Sequence, residues 1–247
     1  MLFRNIFFSA LLVGVIAGGL STAVQFFQVI PIIISAEAFE GAGEPAPAST
    51  SEKTEHNHAS HDHATEEEWG PEDGLERTAY TLLTNILTAI GFALLILAAI
   101  VASQKPDDDS KLKWHHGLLW GLSGYVIFFV APALGLPPEI PGTNAAPLET
   151  RQIWWIFAVI CTAAGIGGAV FVKQPWRWAL LGLLAIPHLV GAPHIAEMFA
   201  DKPPAVAAEL TVLTQEFIIA TAITTATLWI ILGITSVWTV RRFVLPQ

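Results

Sequence analysis

Long apolar runs, parted by short polar segments, set the pattern of this chain. Six runs stand out: 6–34, 80–102, 114–136, 154–172, 178–195 and 217–240. An α-helix needs about 20 apolar residues to cross a ~30 Å hydrocarbon core. The pattern therefore predicts an all-α polytopic membrane protein, a single membrane domain over 1–247 with about six transmembrane helices and five as the alternative. The first run is followed by Ser35-Ala36-Glu37-Ala38, which is similar to a small-residue cleavage site. It is too long for the apolar part of a signal peptide, so it reads as a retained helix. Gly14, Gly18 and Gly19 within it permit close helix contact. Gln25 and Gln28 are unusual against lipid.

Between the first two runs the pattern breaks. Residues 37–76 are rich in Glu, Ala, Ser, Pro and His and hold few large apolar residues. Such a stretch buries too little surface to fold alone, and it predicts a disordered external loop. In the second run, Thr81, Thr84, Asn85 and Thr88 recur at helical spacing and make one polar stripe. Hydrogen bonds between helices and a pathway are the two readings of that stripe. The third run opens on His115 and His116. Pro137-Pro138-Glu139-Ile140-Pro141-Gly142 is a rigid, turn-forming connector. Trp154 and Trp155 at the head of the fourth run read as interfacial anchors.

The fifth run carries the most unusual chemistry. Pro187-His188-Leu189-Val190-Gly191-Ala192-Pro193-His194 lies where no charged residue occurs between Arg177 and Glu197. Two imidazoles at membrane depth are costly and call for a reason. Two prolines and a glycine would break the helix ladder and free carbonyls to face a ligand. At ~1.5 Å per residue His188 lies roughly 16 Å from Arg177, near mid-membrane, with His194 about 9 Å further out. On an unbroken helix the two would not share a face, and a break at Gly191–Pro193 could realign them. The bland alternative is a kinked helix whose histidines bond to neighbouring helices.

Composition agrees with a membrane protein: 53% of the 247 residues are hydrophobic and 13% charged, with a mean hydropathy of +0.55. The formal charge of −9 comes from 12 basic against 21 acidic residues. No basic patch points to nucleic acid. One cysteine, Cys161, excludes an intrachain disulfide and any multi-cysteine metal site. With six spans both termini share a side. On that side fall Arg4, Lys105, Lys111, Lys113, Lys173, Arg177, Arg241 and Arg242, against Lys53, Arg77, Arg151 and Lys202 on the other. The eight-to-four bias predicts cytoplasmic termini. The opposite face then holds most of the acids, which concentrate cations there.

His56, His58, His61 and His63, with Glu55 and Asp62 among them, form a strong signal for metal capture. Neutral imidazole suits Co, Ni, Cu and Zn. A flexible cluster fits delivery to a pathway better than storage. His188 and His194 are the candidate ligands further in. Glu37, Glu76, Asn85, Glu197 and Glu216 are candidates for a pathway, with solvated loop ends as the simpler reading of each glutamate. No ATPase, zinc-hydrolase or serine-hydrolase motif occurs, so the chain reads as a non-enzyme.

Several pieces together resemble the CbtA family, predicted cobalt transporter subunits of bacteria. They are Ala36-Glu37-Ala38-Phe39-Glu40, the His tract, the 137–142 connector, Arg151-Gln152-Ile153-Trp154-Trp155 and Pro187-His188-Leu189-Val190-Gly191-Ala192-Pro193. The resemblance implies Co²⁺ uptake for cobalamin synthesis across the bacterial cytoplasmic membrane. It also implies a small one-helix partner, CbtB, with histidines of its own. The family is described with five spans, which leaves the first run and the short fifth one as alternatives for the run that does not cross. Imidazole and carboxylate accept Ni²⁺ and Zn²⁺ as well. The competing reading is a metal-binding membrane scaffold or sensor subunit without a conduit of its own.

Overall fold

The structure is a computed structural model that describes residues 1–39, 71, 74–104, 112–195 and 197–245. Its elements are α1 (Leu2–Gln28), α2 (Ile30–Glu37), α3 (Leu75–Ser103), α4 (Trp114–Tyr125), α5 (Ala131–Ala133), α6 (Leu148–Phe171), α7 (Ile186–Val190) and α8 (Pro204–Thr239). A π-helical turn, Val126–Val130, joins α4 to α5, and a second one, Val240–Val244, ends α8. A 3₁₀ helix, Pro175–Ala185, leads into α7. Among the described residues, five helical stretches are long and apolar enough to cross a membrane: Leu2–Gln28, Leu75–Ser103, Trp114–Ala133, Leu148–Phe171 and Pro204–Val244.

Helices α1, α3, α4 and α8 form a four-helix core. The antiparallel pairs α1/α3 and α4/α8 touch backbone to backbone, which only glycine allows. A Cβ on Gly18 would sit 2.6 Å from the Cα of Ile86, and one on Gly121 would sit 2.4 Å from the carbonyl oxygen of Trp229. Lipid tails are as apolar as the helices, so close packing of this kind, and not hydrophobic burial, is what holds a bundle together in a membrane. At the centre Phe128 stacks on Trp229 with centroids 5.3 Å apart, and Phe92 meets both rings. Ala10, Val13, Ala89, Ala93, Leu97, Leu232 and Val237 fill the rest of the interior.

The direction of each pass follows from a few contacts. The Asn5 side chain donates to the Phe243 carbonyl at 2.9 Å, which puts both termini at one end of the bundle. At the opposite end Ala36, Ile140, Phe199 and Leu210 form a small separate core that ties α2, the 137–142 connector and the head of α8 together.

The run predicted over 178–195 takes a form of its own. It is a 3₁₀ helix of 11 residues followed by a five-residue α-helix, and it runs antiparallel along α6. Its register is set by Leu180 against Gly168 near one end and by Pro187 against Trp154 near the other. A 3₁₀ helix rises ~2.0 Å per residue against ~1.5 Å for an α-helix. Sixteen residues in this mixture therefore extend ~30 Å, about the thickness of the hydrocarbon core. The stretch is too short to cross as an α-helix but long enough when overwound. It also returns the chain to the end where α8 begins, as two termini at one end require.

Candidate functional site

The end of the bundle away from the termini gathers the chemistry. It receives the C-terminal end of α2, the start of α3, the connector after α5, the start of α6, the end of α7 and the start of α8. Here Glu37 accepts a two-pronged ion pair from Arg77, with one contact at 3.0 Å. Arg151, one turn into α6, donates to Glu139 of the connector at 2.5 Å. Asn144 donates through its side chain to Asp201 at 2.9 Å and through its backbone to the Met198 carbonyl, also at 2.9 Å. That side-chain bond, with the Asp201 backbone N–H and nearby Lys202 adding to it, holds the Asp201 carboxyl below the usual carboxylate range. These contacts neutralise two of the four basic residues that the charge count placed on the acidic side.

The proline-histidine stretch has a defined geometry. Pro187 occupies the first turn of α7, where its missing N–H costs nothing. Gly191 ends the helix at φ +88°, a left-handed backbone that residues with a Cβ rarely adopt. The Pro187 carbonyl is not left free for a ligand. It accepts from the Gly191 N–H at 3.0 Å and from the Trp154 indole N–H at 3.2 Å. Trp154 is 5% exposed, so it is a buried strut and not the interfacial anchor expected of it. Trp155 faces outward, 37% exposed.

His188 is half-buried, and its ring meets the Trp154 ring edge-on at 5.8 Å. Its depth differs from the estimate made with α-helical rise. Counting eight 3₁₀ steps and three α steps from Arg177 gives ~20 Å in place of ~16 Å. Its partner Trp154 lies only six residues into α6, which places His188 toward the acidic end of the bundle. His194 follows in irregular chain and is exposed, as is Glu197. The break thus separates the two imidazoles into a half-buried and an exposed one.

The remaining candidates scatter. Asn85 donates to the Thr22 hydroxyl at 2.9 Å and to Gln25 at 2.6 Å, which accounts for Gln25 in an apolar helix. Its role in the structure is therefore a bond between α1 and α3. Thr84 and Thr88 face outward, and Thr81 bonds the Arg77 carbonyl one turn back. Glu76 and Glu216 are exposed on α3 and α8. His115 and His116 belong to the opposite end, where His116 Nδ1 accepts the Lys113 N–H at 3.0 Å and caps α4. His56, His58, His61 and His63 lie outside the described residues. Among the described residues no three His, Cys, Asp or Glu side chains converge as a metal site.

Sequence reasoning missed Arg77, Arg151 and the strut role of Trp154. A signal for the first two was available: each is a basic residue on the side where basic residues are scarce, with a glutamate at the facing end of another span. No comparable signal tells a buried Trp154 from an anchoring one.

Comparison with known proteins bears on this arrangement. No curated protein and no solved structure matches the chain. The model of the CbtA family, described as a probable cobalt transporter subunit, matches residues 3–241, which include all five long helices almost entirely and both the Trp154 and the His188 segments. This chain belongs to the CbtA family.

Proposed function

We propose that this chain is the metal-translocating membrane subunit of an uptake system for a divalent transition-metal ion, Co²⁺ before Ni²⁺ and Zn²⁺. The family match over nearly the whole chain carries the reading. The polarity of the bundle supports it. The flanks of the His tract, Phe39 and Gly74, belong to the same end as His188, His194 and Glu197. That end faces outward, the termini face the cytoplasm of a bacterium, and the eight-to-four basic bias agrees with this sense.

In this reading His56, His58, His61 and His63 raise the local metal concentration, and the exposed His194 and Glu197 receive the ion. His188 is the first half-buried imidazole on its path. Glu37 and Asn85 already hold protein partners and pair helices, and the exposed Glu216 is left with solvation. A small one-helix membrane subunit of the CbtB kind completes the transporter. Energy comes from a partner or a gradient, since the chain carries no nucleotide-binding motif.

Cells lacking their own uptake, expressing this chain with and without its candidate partner, should accumulate Co²⁺ from dilute medium when both are present. Equal accumulation of Co²⁺, Ni²⁺ and Zn²⁺ would remove the metal assignment. No accumulation of any of them, with the chain present in the membrane and metal bound outside, would favour a binding scaffold over a transporter.

A further inference from the structure

The 3₁₀ helix Pro175–Ala185 runs for 11 residues. Runs of this kind longer than about four residues are uncommon, because their hydrogen bonds are poorly aligned. Pro187 accounts only for the last turn. It has no N–H to give the Leu183 carbonyl, and its ring would strike that carbonyl in an α-helix. The Ile186 N–H serves the Leu183 carbonyl instead, in the tighter winding. Ala179, Leu180 and Leu181 lie beyond the reach of the proline and are good α-helix formers. Their winding is set by the distance to be covered. Pro187 is held at the far end by the Trp154 indole, and an all-α stretch from Pro175 to Val190 would span ~24 Å in place of ~30 Å.

The two ends of this stretch are not equally fixed. A short link, residues 172–174, ties its start to α6. At the far end Gly191 has a left-handed backbone, and residues 191–195 are irregular chain with length to spare. No residue of the 3₁₀ helix is buried, so rewinding displaces no packed side chain. The wall beside it is smooth: Gly165 and Gly168 of α6 lie under Leu184 and Leu180 and present no side chain to climb over. We propose that residues 175–182 are a spring that rewinds from 3₁₀ to α and carries His188 toward the end of the bundle that holds the termini. Each residue that changes shortens the stretch by ~0.5 Å and turns its far end by roughly 20°. The whole change draws His188 inward by roughly 4 Å and turns it off the Trp154 ring. It breaks the Trp154–Pro187 bond, which makes that bond the latch of the stretched state. The inference rests on the reading of His188 as a ligand on the metal path, and it gives that path its inward step.

Distances between spin labels test the spring without reading uptake. The full chain carries Cys161→Ala, with labels on Lys173→Cys and Leu189→Cys, both at exposed positions, and is reconstituted in phospholipid vesicles. Zn²⁺ is the metal added, because the unpaired electrons of Co²⁺ would disturb the labels. A second labelled pair, Leu83→Cys and Leu95→Cys at exposed positions of α3, reports on the core. The otherwise unchanged chain should show a long distance and a second one roughly 4 Å shorter, whose share rises with Zn²⁺. The α3 distance should stay single. Trp154→Phe opens the latch, and Pro187→Ala lifts the block at Leu183 while keeping the carbonyl that Trp154 holds. Each should raise the share of the shorter distance in the absence of metal. If Pro187→Ala fails to fold, as the α3 labels would show, Trp154→Phe still decides. A single long distance with and without Zn²⁺ would overturn the proposal. So would a shorter distance whose share neither Zn²⁺ nor Trp154→Phe changes. A segment that shortens as expected in a chain that accumulates no metal would leave the spring standing and remove the transport reading.

Discussion

The four-helix core and the pair formed by α6 with the 3₁₀ segment are built on different principles. In the core, glycines bring backbones into contact, an aromatic trio fills the centre, and Leu97, Ile100 and Leu232 are wholly or almost wholly buried. In the pair, the 3₁₀ helix has no buried residue at all, and Gly182 has open space where a side chain would go. A region with few buried contacts opens at lower free energy than a densely packed one. The core therefore acts as the scaffold, and the pair, which holds His188, is where a change of shape costs least. Overwinding adds to the difference, because 3₁₀ geometry makes poorer hydrogen bonds than α geometry.

The sharpest contrast comes from one substitution on each side. Gly18→Leu pushes a side chain into the Ile86 backbone, and overpacking of this kind costs about 1–3 kcal/mol or more. It should abolish membrane abundance or lower the thermal midpoint by many degrees. Gly182→Ala meets open space and removes a flexible residue from a helix, so it should be neutral or stabilising by a few tenths of a kcal/mol. Equal damage from both, measured by melting in detergent, would erase the distinction between scaffold and pair.

Trp154→Phe keeps the ring near His188 and removes the indole N–H. Loss of that bond to the Pro187 carbonyl should cost about 1 kcal/mol. The effect should appear as faster hydrogen exchange around α7, with the core unchanged. Equal loosening throughout the chain would mean that the pair is not a separable unit.

Smaller still is the Glu139–Arg151 pair. Partial exposure screens it, so Glu139→Gln should cost no more than about 1 kcal/mol by thermal melting. The smallest effect belongs to Asp201. Its folded carboxyl is held below the unfolded value, so its contribution is present above the ordinary carboxylate range and is lost as the pH falls through the folded value. Asn144→Ala should flatten the acid limb of the melting-temperature profile slightly, and a profile identical to wild type would deny the bond that role.

Much of the architecture was readable because apolar length is a direct consequence of bilayer thickness. The helices Leu75–Ser103 and Leu148–Phe171 fall where runs 80–102 and 154–172 predict them, extended at their heads by polar residues that lie outside the apolar core. Gln25 was visible as an anomaly, and its cause, Asn85, as a stripe, but their pairing required the register that Gly18 imposes on α1 and α3. The 178–195 run was legible as apolar and interrupted. Its 3₁₀ winding was not, because period and hydropathy carry little information on rise per residue, and the depth of His188 shifted with it. Arg151 was counted as a loop charge, since nothing local shows that Glu139, twelve residues earlier across a proline-rich turn, folds back onto it.

The central claim is that metal passes through the pair while the core only supports it. Uptake of Co²⁺ per molecule in the membrane should separate His188→Ala, in the pair, from Asn85→Leu, in the core. The account predicts at least a tenfold loss of uptake at all metal concentrations for His188→Ala, with normal abundance. Asn85→Leu should lower abundance and keep uptake per molecule. Near-normal uptake by both His188→Ala and His188→Gln, with loss of uptake per molecule in Asn85→Leu, would contradict it.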